Sequence, residues 1–225
     1  MASGDTGPSQ ARGQARRPSG RPLDPARDRA ITTAVVDVLA RLGFSGFTMD
    51  EVALTAGVGK AAIYRRWAGK TDLLASYIEG SIEGTLDASD TGSLRNDLVV
   101  LLTSAVAHFN GPAGRANRAL LSAVHDEPAL AAAYHSGPVA QWTAAFREVF
   151  DRAVGRGEIG PAVDWSLAAE AGAAILVQRW LLFGAHIDEE LVTAVVDDVV
   201  LALLQGRGEG RLPEVPAHQS PSSED

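Results

Sequence analysis

The sequence contains no cysteine. Disulfide bonds, zinc–cysteine sites, iron–sulfur clusters and a cysteine nucleophile are therefore excluded, and nothing indicates an oxidising compartment. Long uninterrupted apolar runs are also lacking, because charged or amide side chains break the most apolar stretches, 168–182 and 191–204. The N-terminus does not have the basic-then-apolar order of a signal peptide. We therefore expect a cytoplasmic protein without a membrane span.

Lysine is scarce, and its position is informative. The two lysines, Lys60 and Lys70, both lie in "GVGKAAIYRRWAGK", whereas the chain has eighteen arginines. The net charge is -8 overall, but it divides into +3 for residues 1–80 and -11 for residues 81–225. Only a surface that faces phosphate must be positive, so this division is typical of a DNA-binding module joined to a body that does not bind DNA. Chance unevenness is the alternative.

Segments with alternating strand periodicity are absent, and the pattern predicts an all-α fold of about nine helices. Residues 1–24 and 206–225 are rich in Gly, Pro and Ser, so we expect a disordered basic arm and a disordered tail. Between them, the capping and apolar patterns predict four helices in the N-terminal third: a first helix that ends at Leu42 with Gly43 as its C-cap, a short helix from Thr48 to Thr55, a second short helix from Gly59, and a helix from Lys70 to Leu86. The next helix is predicted from Ser93 to Phe109, and a break at Gly111, Pro112 and Gly114 separates it from a helix at Arg115 to His125. One or two helices follow between Pro128 and Val154, with a kink at Gly137 and Pro138, and the last two are predicted at Asp164 to Phe183 and Asp188 to Leu204.

One pair of short helices has the pattern of a helix-turn-helix. Such a unit needs small or apolar residues where its helices cross, a glycine in the turn, and an exposed second helix. The apolar position that follows Ile63 in the pattern falls on Arg66, a charged residue that does not fit, and Trp67, one residue further on, takes its place. An ordinary helical hairpin inside a larger bundle is the alternative. The residues that fill the pattern are Val52, Ala53, Ala56, Gly57, Val58 and Ile63.

The segment "FTMDEVALTAGVGKAAIYRRWAGKTDLL", preceded by the helix ending at Leu42, resembles the DNA-binding domain of the TetR family of bacterial transcriptional regulators. The resemblance implies a three-helix helix-turn-helix domain at 25–72 and a helical ligand-binding and dimerisation bundle at 73–205. It implies a homodimer, most often a repressor, that a small-molecule effector releases from a pseudo-palindromic operator in double-stranded DNA. The family positions are filled by Thr48, Val52, Ala53, Ala56, Gly57, Val58, Ile63, Tyr64, Trp67, Lys70 and Leu73.

The same resemblance implies that the helix from Gly59 to Trp67 is the recognition helix. Lys60, Ala61 and Ala62 then face the major groove, where lysine bonds guanine acceptors and alanine methyl groups contact thymine. Family members often have Ser or Thr at the position of Gly59, and glycine lacks their capping oxygen. We therefore expect a less rigid helix start before DNA binds.

Contacts to the DNA backbone are implied for a second group of residues. Thr48 and Tyr64 are expected to donate hydroxyl hydrogen bonds to phosphates, and Lys70 to reach the backbone at the start of the fourth helix. Arg65 and Arg66 contact phosphate or face solvent. Ile63 and Trp67, four residues apart, are expected to share a core face.

In the C-terminal half, two helices carry wide stripes of small and apolar residues, and we predict that they form a four-helix dimer interface with their symmetry mates. An intrachain core is the alternative. The predicted interface residues are Ala168, Gly172, Leu176, Val192, Val195, Val196, Val199 and Leu203. The candidate effector pocket takes the aromatic and polar side chains of the middle helices, which are His108, Phe109, His125, Trp142, Phe146, Trp165, Gln178 and Trp180. The stretch "DTGSLRNDL" resembles a large TetR subfamily whose effectors vary, so no ligand is implied.

Other signals are weak. "GRGEIG" at 155–160 fits a dinucleotide fingerprint but follows a helix instead of a strand. "HDE" at 125–127 is poorly spaced for a metal, and "RRPSGRP" at 16–22 only partly resembles a minor-groove arm. We expect no catalytic residues, no cofactor and no metal, and we therefore predict that the protein is not an enzyme. The rival hypothesis is a helical ligand-binding or enzymatic protein with a vestigial DNA-binding module.

Overall fold

The computed structural model describes residues 25–184 and 186–205, in which every regular element is helical. The predicted all-α fold with about nine helices is confirmed. The predicted arm at 1–24 and tail at 206–225 lie outside the described residues. The helices are α1 (Pro25–Gly46), α2 (Met49–Ala56), α3 (Lys60–Tyr64), α4 (Lys70–Glu79), α5 (Leu94–Asn110), α6 (Pro112–Val124), α7 (128–156, made of Pro128–Tyr134, a π-helical turn His135–Val139, and Ala140–Arg156), α8 (Ser166–Phe183) and α9 (189–205, made of Glu189–Ala194, a π-helical stretch Val195–Leu201, and Ala202–Gln205).

Side-chain caps define three of the helix starts that the sequence predicts. Thr48 accepts a hydrogen bond from the Glu51 amide at 3.2 Å, Ser93 opens α5 in the same way, and Asp188 opens α9. The fourth predicted cap is displaced by one residue. Trp165 occupies the N-cap position of α8, and Asp164, just before it, accepts from the Ser166 amide at 3.0 Å. Short polar side chains thus satisfy the first free amides of these helices.

Three predicted boundaries differ from the structure. Helical hydrogen bonding in α1 continues to Gly46 across a kink at Gly43, whose φ is +66°. Helix α4 ends at Glu79, and turns replace its predicted extension. The predicted break is present at Gly111, whose backbone is extended between the two helices, but α6 begins at Pro112 and not at the predicted Arg115. Proline is well accommodated at the first position of a helix, where its missing N–H would have no partner.

The N-terminal core is built from α1 to α4 but does not stop there. Val35, Val52 and Ile63 are fully buried in it, and Leu74 and Ile78 of α4 belong to the same cluster. Residues of α6 and of the first turns of α7 complete it, with Ala116, Leu120, Ala123, Leu130 and Ala133. The boundary expected at 72/73 therefore lies inside a continuous core, in which α1 packs on α6.

The C-terminal core packs α5, the long part of α7, α8 and α9 around a column of aromatic rings. At one end, "DTGSLRNDL" docks on "GRGEIG". The fully buried Asp97 carboxylate accepts hydrogen bonds from the Thr91 amide and hydroxyl, both at 2.6 Å, and from Arg156 at 2.9 Å. Glu158 accepts from the Leu94 amide at 2.7 Å. The dinucleotide-like string thus serves as a helix end that holds the loop before α5.

Helix α8 is strongly apolar, yet most of its residues are not fully buried. Among the described residues it alone is long and apolar enough to cross a membrane, a test that core helices of soluble proteins also pass. Only 28% of its residues are buried within the chain. Much of its apolar surface therefore remains accessible in the single chain.

Candidate nucleic-acid interface and ligand groove

The turn between α2 and α3 depends on Gly57. Its backbone is left-handed, with φ +64° and ψ 29°, and its amide donates to the Leu54 carbonyl at 3.2 Å. The Val58 amide donates to Ala53 at 3.0 Å, which completes a Schellman termination of α2. Left-handed φ costs a residue with a Cβ about 1 kcal/mol or more. The glycine thereby sets the crossing of α2 and α3, as predicted.

Helix α3 is anchored from below by one side chain and is exposed on its other sides. Ile63 has 0% exposure, whereas Lys60 and Ala61 are exposed and Tyr64 retains 52% of its surface. Ala62 is half-buried. The helix ends at Tyr64, so the predicted extent to Trp67 is too long. Gly59 occupies the N-cap without a side-chain hydrogen bond, and the first amides of α3 remain available to a phosphate.

Lys60 is paired with an acidic residue that the sequence prediction did not include. Its ammonium donates to the Asp50 carboxylate of α2 at 2.7 Å, and the two side chains keep 63% and 55% of their surface exposed. This hydrogen bond, with the attraction of the same carboxylate, raises the pKa of Lys60. The pair lies in water and can be exchanged for other partners, because exposed ion pairs contribute little net free energy.

The two arginines that follow α3 have different surroundings. Arg66 is bound to Asp28 of α1, and its guanidinium carbon lies 4.6 Å from the centre of the Trp67 ring. Arg65 is exposed, and within the described part of the chain its guanidinium has no hydrogen-bond or ion-pair partner. Arg65 is therefore free to contact phosphate, whereas Arg66 and the half-buried Trp67 close the seam between α1 and α3.

Lys70 is occupied at the domain's own turn. Its ammonium donates to the Phe44 carbonyl and lies 3.7 Å from the centre of the Phe44 ring. Burial, partly opposed by the charge of Glu127, lowers the pKa of Lys70. The amine ties α4 to the end of α1, and its remaining N–H groups are those available for the DNA backbone. Thr48 uses its oxygen as a helix cap and keeps its hydroxyl proton for donation.

The structure corrects most of the predicted dimer-interface residues. Gly172 packs so closely on α9 that a Cβ at this position would lie 2.7 Å from Val200 Cγ2. The small residues of α8, such as Gly172, therefore let α8 pack on α9 of the same chain. For these side chains the structure agrees with the alternative given above, an intrachain core. Val199 and Leu203 are half-buried. The residues enclosed by their own chain are Ala168, Gly172, Leu176, Val192, Val195 and Val196.

A groove of about 710 Å³ lies between α7 and α8. It brings together three predicted pocket residues, Trp142, Phe146 and Trp165, and adds Arg147 and Glu170, which the prediction did not include. The volume lies in the range of drug-sized ligand sites. Apolar side chains of the two helices form most of its wall.

The other predicted pocket residues lie elsewhere. Phe109 and Trp180 are buried beside the groove and stack at 4.9 Å. His108 lies at 3.1 Å from the Asn117 side-chain nitrogen, and burial lowers its pKa. His125 is exposed at the C-cap of α6, away from the groove lining. Gln178 is exposed on α8. The described residues contain no cluster of potential metal ligands, and "HDE" forms none.

Comparison with known proteins assigns both halves of the chain. Residues 31–77 match the family described as "Bacterial regulatory proteins, tetR family", and residues 88–199 match "Tetracyclin repressor-like, C-terminal domain". The DNA-binding transcriptional repressor TetR of Mycobacteroides abscessus is 31% identical over 80% of this chain and 94% of that protein. An uncharacterised HTH-type transcriptional regulator of Mycobacterium tuberculosis is 32% identical over 82% of this chain and 93% of its own.

Solved structures agree in fold. The crystal structure of the TetR family transcription regulator SCO0332 superimposes with a TM-score of 0.62 at 29% identity, covering 81% of this chain and 98% of that one. The matched regions include both the helix-turn-helix and the C-terminal bundle. The chain therefore belongs to the TetR family of transcriptional regulators, with a DNA-binding N-terminal domain.

Proposed function

We propose that the protein is a repressor that binds a pseudo-palindromic operator as a homodimer and leaves it when a small molecule binds the C-terminal domain. The single observation that carries the DNA-binding part is the state of α3. Ile63 is fully buried beneath it, while Lys60, Ala61 and Tyr64 are exposed at its start and along its outer side. This is what a recognition helix requires, since it must be held by its own domain and still reach base edges.

The proposed DNA contacts divide into base readout and backbone positioning. Lys60, Ala61 and Ala62 serve the major groove. The backbone contacts are made by Thr48, Tyr64, Arg65 and the free N–H groups of Lys70, together with the α3 amides that follow Gly59. Arg66 is the weakest of the predicted contacts because Asp28 already binds it. In a symmetric dimer the two α3 helices are expected about one DNA turn, ~34 Å, apart.

A gel-shift titration at several salt concentrations tests this function, with DNA upstream of the protein's own gene as the probe and shuffled DNA of equal length as the control. We expect preference for the upstream DNA and a loss of affinity as salt rises, because phosphate contacts release counterions. Absence of sequence preference at every salt concentration would favour the rival, a helical ligand-binding or enzymatic protein whose DNA module is vestigial.

For the dimer, we propose the outer face of α8, which consists of Leu167, Ala171, Ala174, Gln178 and Leu182, beside the exposed Phe183. Leu182 and Phe183 retain 69% and 66% of their surface in the single chain. Both α8 and α9 rest on α5 and on each other, so their outward sides lie on the same side of the domain. A second copy that covers this side gives a four-helix dimer interface. The helices of this interface are the predicted ones, α8 and α9, but its side chains are those of the outer face and not the predicted residues.

Sedimentation at micromolar concentration tests the dimer face. We expect a dimer for the native chain and monomers for Leu182→Glu, because a carboxylate in an apolar interface is costly to desolvate. Leu54→Glu is the matched control, since Leu54 of α2 is also exposed, at 76%, but lies in the DNA-binding domain. A dimer that persists in Leu182→Glu would place the interface elsewhere.

We place the effector site at the groove between α7 and α8. It is supported by its volume, its apolar wall and its position in the C-terminal domain. The first turns of the same α7 belong to the N-terminal core. A ligand that shifts α7 therefore has a packed route to the DNA-binding helices, and it changes DNA affinity by its differential affinity for the two arrangements.

A further inference from the structure

One wall of the groove is the end of a stack of six aromatic rings. Consecutive ring centres are 4.8–6.3 Å apart, and consecutive planes are inclined by 12–28°. Such offset, nearly parallel contacts are a favourable geometry for aromatic pairs. In order, the rings are those of Trp180, Phe109, Trp142, Phe146, Phe150 and Trp165.

Trp165 ends this stack at the groove. Its ring lies 4.8 Å from Phe150 at an angle of 12°, and within the described residues no second aromatic ring stacks on it. Trp165 is half-buried and lines the groove with Trp142, which is also half-buried. A flat ring system placed in the groove can therefore continue the stack, which an apolar group of irregular shape cannot do.

The charged side chains of the groove indicate the charge of the ligand. Three charged side chains line it, Arg147 of α7, Glu170 of α8 and Asp164 just before α8. Asp164 accepts hydrogen bonds from the Ser166 amide at 3.0 Å and the Ser166 hydroxyl at 2.5 Å, whereas Arg147 and Glu170 have no ion-pair partner among the residues that the structure describes. Because the lining carries both signs of charge, a charged ligand is attracted by some of these side chains and repelled by others. A hydroxyl group at the edge of a neutral ligand can donate to a carboxylate or accept from Arg147, and a carbonyl group can accept from Arg147.

We propose that the groove binds a neutral, planar aromatic compound of two or three rings with hydroxyl or carbonyl groups at its edge, stacked on Trp165. This inference rests on the groove that we propose as the effector site and names the chemical class of its ligand. Binding of the ligand is measured without DNA, so the two proposals can fail separately.

Calorimetric titration of the full chain with four related probes tests the class. The probes are 2-naphthol, which is planar and neutral; decahydro-2-naphthol, which has the same carbon skeleton but is not planar; 2-naphthoate, an anion; and N-methylquinolinium, a cation. We expect 2-naphthol to bind at least about tenfold more tightly than decahydro-2-naphthol, as stacking on one aromatic face provides, and more tightly than either ion, because each ion is repelled by charged side chains of the groove. Equal binding of the saturated probe would overturn stacking, and tighter binding of either ion would overturn neutrality. Failure of all four would show that something else fills the groove, such as the second copy of the chain, and would overturn the inference.

Three variants locate the bound probe. Trp165→Phe keeps a flat ring and is expected to keep 2-naphthol binding within about threefold, whereas Trp165→Leu is expected to lose about tenfold or more. Trp67→Phe is the matched control, because Trp67 lies in the N-terminal core and not in the groove. Equal affinities of Trp165→Phe and Trp165→Leu would contradict stacking at this residue.

Two further measurements separate misfolding and regulation from binding. Glu170→Gln changes an exposed side chain and is expected to weaken 2-naphthol about threefold without altering thermal unfolding; an unchanged affinity would contradict its role at the ligand edge. If 2-naphthol binds as expected and DNA affinity does not change, the ligand class stands and the effector role of the groove fails. If DNA binding is absent altogether, the repressor function fails, and the four-probe comparison still decides the ligand class.

Discussion

The acidic residues at the two ends of the molecule hold their basic partners in different ways. At the DNA-facing end, the Asp50–Lys60 pair is largely exposed, and the Glu51–Arg41 pair at 3.4 Å is partly exposed. At the far end of the C-terminal domain, the Asp97 carboxylate is fully buried and is bound by Thr91 and Arg156. Water and salt compete with the first kind of pair, whereas burial keeps them from the Asp97 carboxylate. The exposed pairs can be exchanged for phosphate and bases, whereas the buried pair fixes the fold.

The largest effect that we expect comes from the buried end. Asp97→Ala leaves the Thr91 amide and hydroxyl without their acceptor and removes one of the three carboxylates that bind Arg156, and we expect it to lower the free energy of unfolding by about 3 kcal/mol. Urea denaturation measures this loss. Asp37→Ala is the control, because Asp37 is an exposed partner of Arg41 on α1, with 59% of its side chain accessible, and should cost about 0.5 kcal/mol or less. Similar losses in the two variants would contradict the difference between buried and exposed pairs.

At the exposed end, the double substitution Lys60→Ala with Tyr64→Phe is expected to weaken operator binding about tenfold or more, since it removes one base contact and one phosphate contact. Thermal unfolding and the dimer mass should not change, because both side chains are exposed. Gel-shift titration measures the affinity, with Arg66→Ala as a control whose guanidinium is held by Asp28. Unchanged affinity in the double variant would show that α3 does not read the DNA.

The buried end should also be the more sensitive to acid. Burial opposes ionisation of Asp97 and is the largest single influence, but the hydrogen bonds from Thr91 and the ion pair with Arg156 together hold the pKa of Asp97 below its ordinary value of 3.8. A carboxyl group with a lowered pKa in the folded state stabilises the fold above its unfolded pKa, and this contribution is lost as pH falls through the folded value. The stability difference between the native chain and Asp97→Asn should therefore be constant near pH 6 and shrink below about pH 3.8. Urea denaturation across this range measures it, and a difference that grows towards acid would contradict the sign.

A smaller effect concerns Asp50. Asp50→Ala removes a negative charge beside the DNA and frees Lys60 for any phosphate, so affinity for non-specific DNA should rise about threefold while the preference for the operator falls. Filter binding with operator and shuffled DNA measures both affinities. Asp37→Ala, which removes an equal charge from an exposed position of α1, is the control. An equal rise in both variants would mean that net charge alone acts.

The local part of this design could be predicted from the sequence. The N-cap oxygen of Thr48, the left-handed turn at Gly57 and the buried position of Ile63 depend on neighbours within about a dozen residues, so spacing alone placed them. The family pattern then supplied the fold and the DNA-binding role. Lys60 and Tyr64 were predicted to be accessible on α3, and the structure exposes them.

Non-local choices could not be predicted in the same way. Helix α8 is apolar on nearly all sides, so its sequence did not reveal which side meets α9 and which side is left outside. Gly172 permits close packing, but whether on its own chain or on a partner depends on Val200, which lies on another helix. The Asp50–Lys60 pair likewise joins two helices whose crossing angle must first be known. Trp165 reaches Phe150 only through the turn between α7 and α8.

The smallest effect that we expect is at Gly59, where the exposed end lacks a cap. The backbone of Gly59 is extended, with φ -67° and ψ 140°, and a Cβ there would meet nothing within 4 Å. Gly59→Ser therefore fits without strain, and its hydroxyl can accept a hydrogen bond from an α3 amide, which should stabilise the helix by a few tenths of a kcal/mol, on the order of 0.3. Amide hydrogen exchange in α3 measures this change more directly than global unfolding, because a five-residue helix opens locally. Gly59→Ala is the control, because it adds the same Cβ without the hydroxyl oxygen. Slower exchange in both variants would assign the effect to the lost backbone freedom of glycine. Slower exchange in Gly59→Ser alone would assign it to the cap. If Gly59→Ser leaves the affinity for operator DNA unchanged, the order of α3 does not limit that affinity. The limit then lies in the exchange of the exposed ion pairs for DNA.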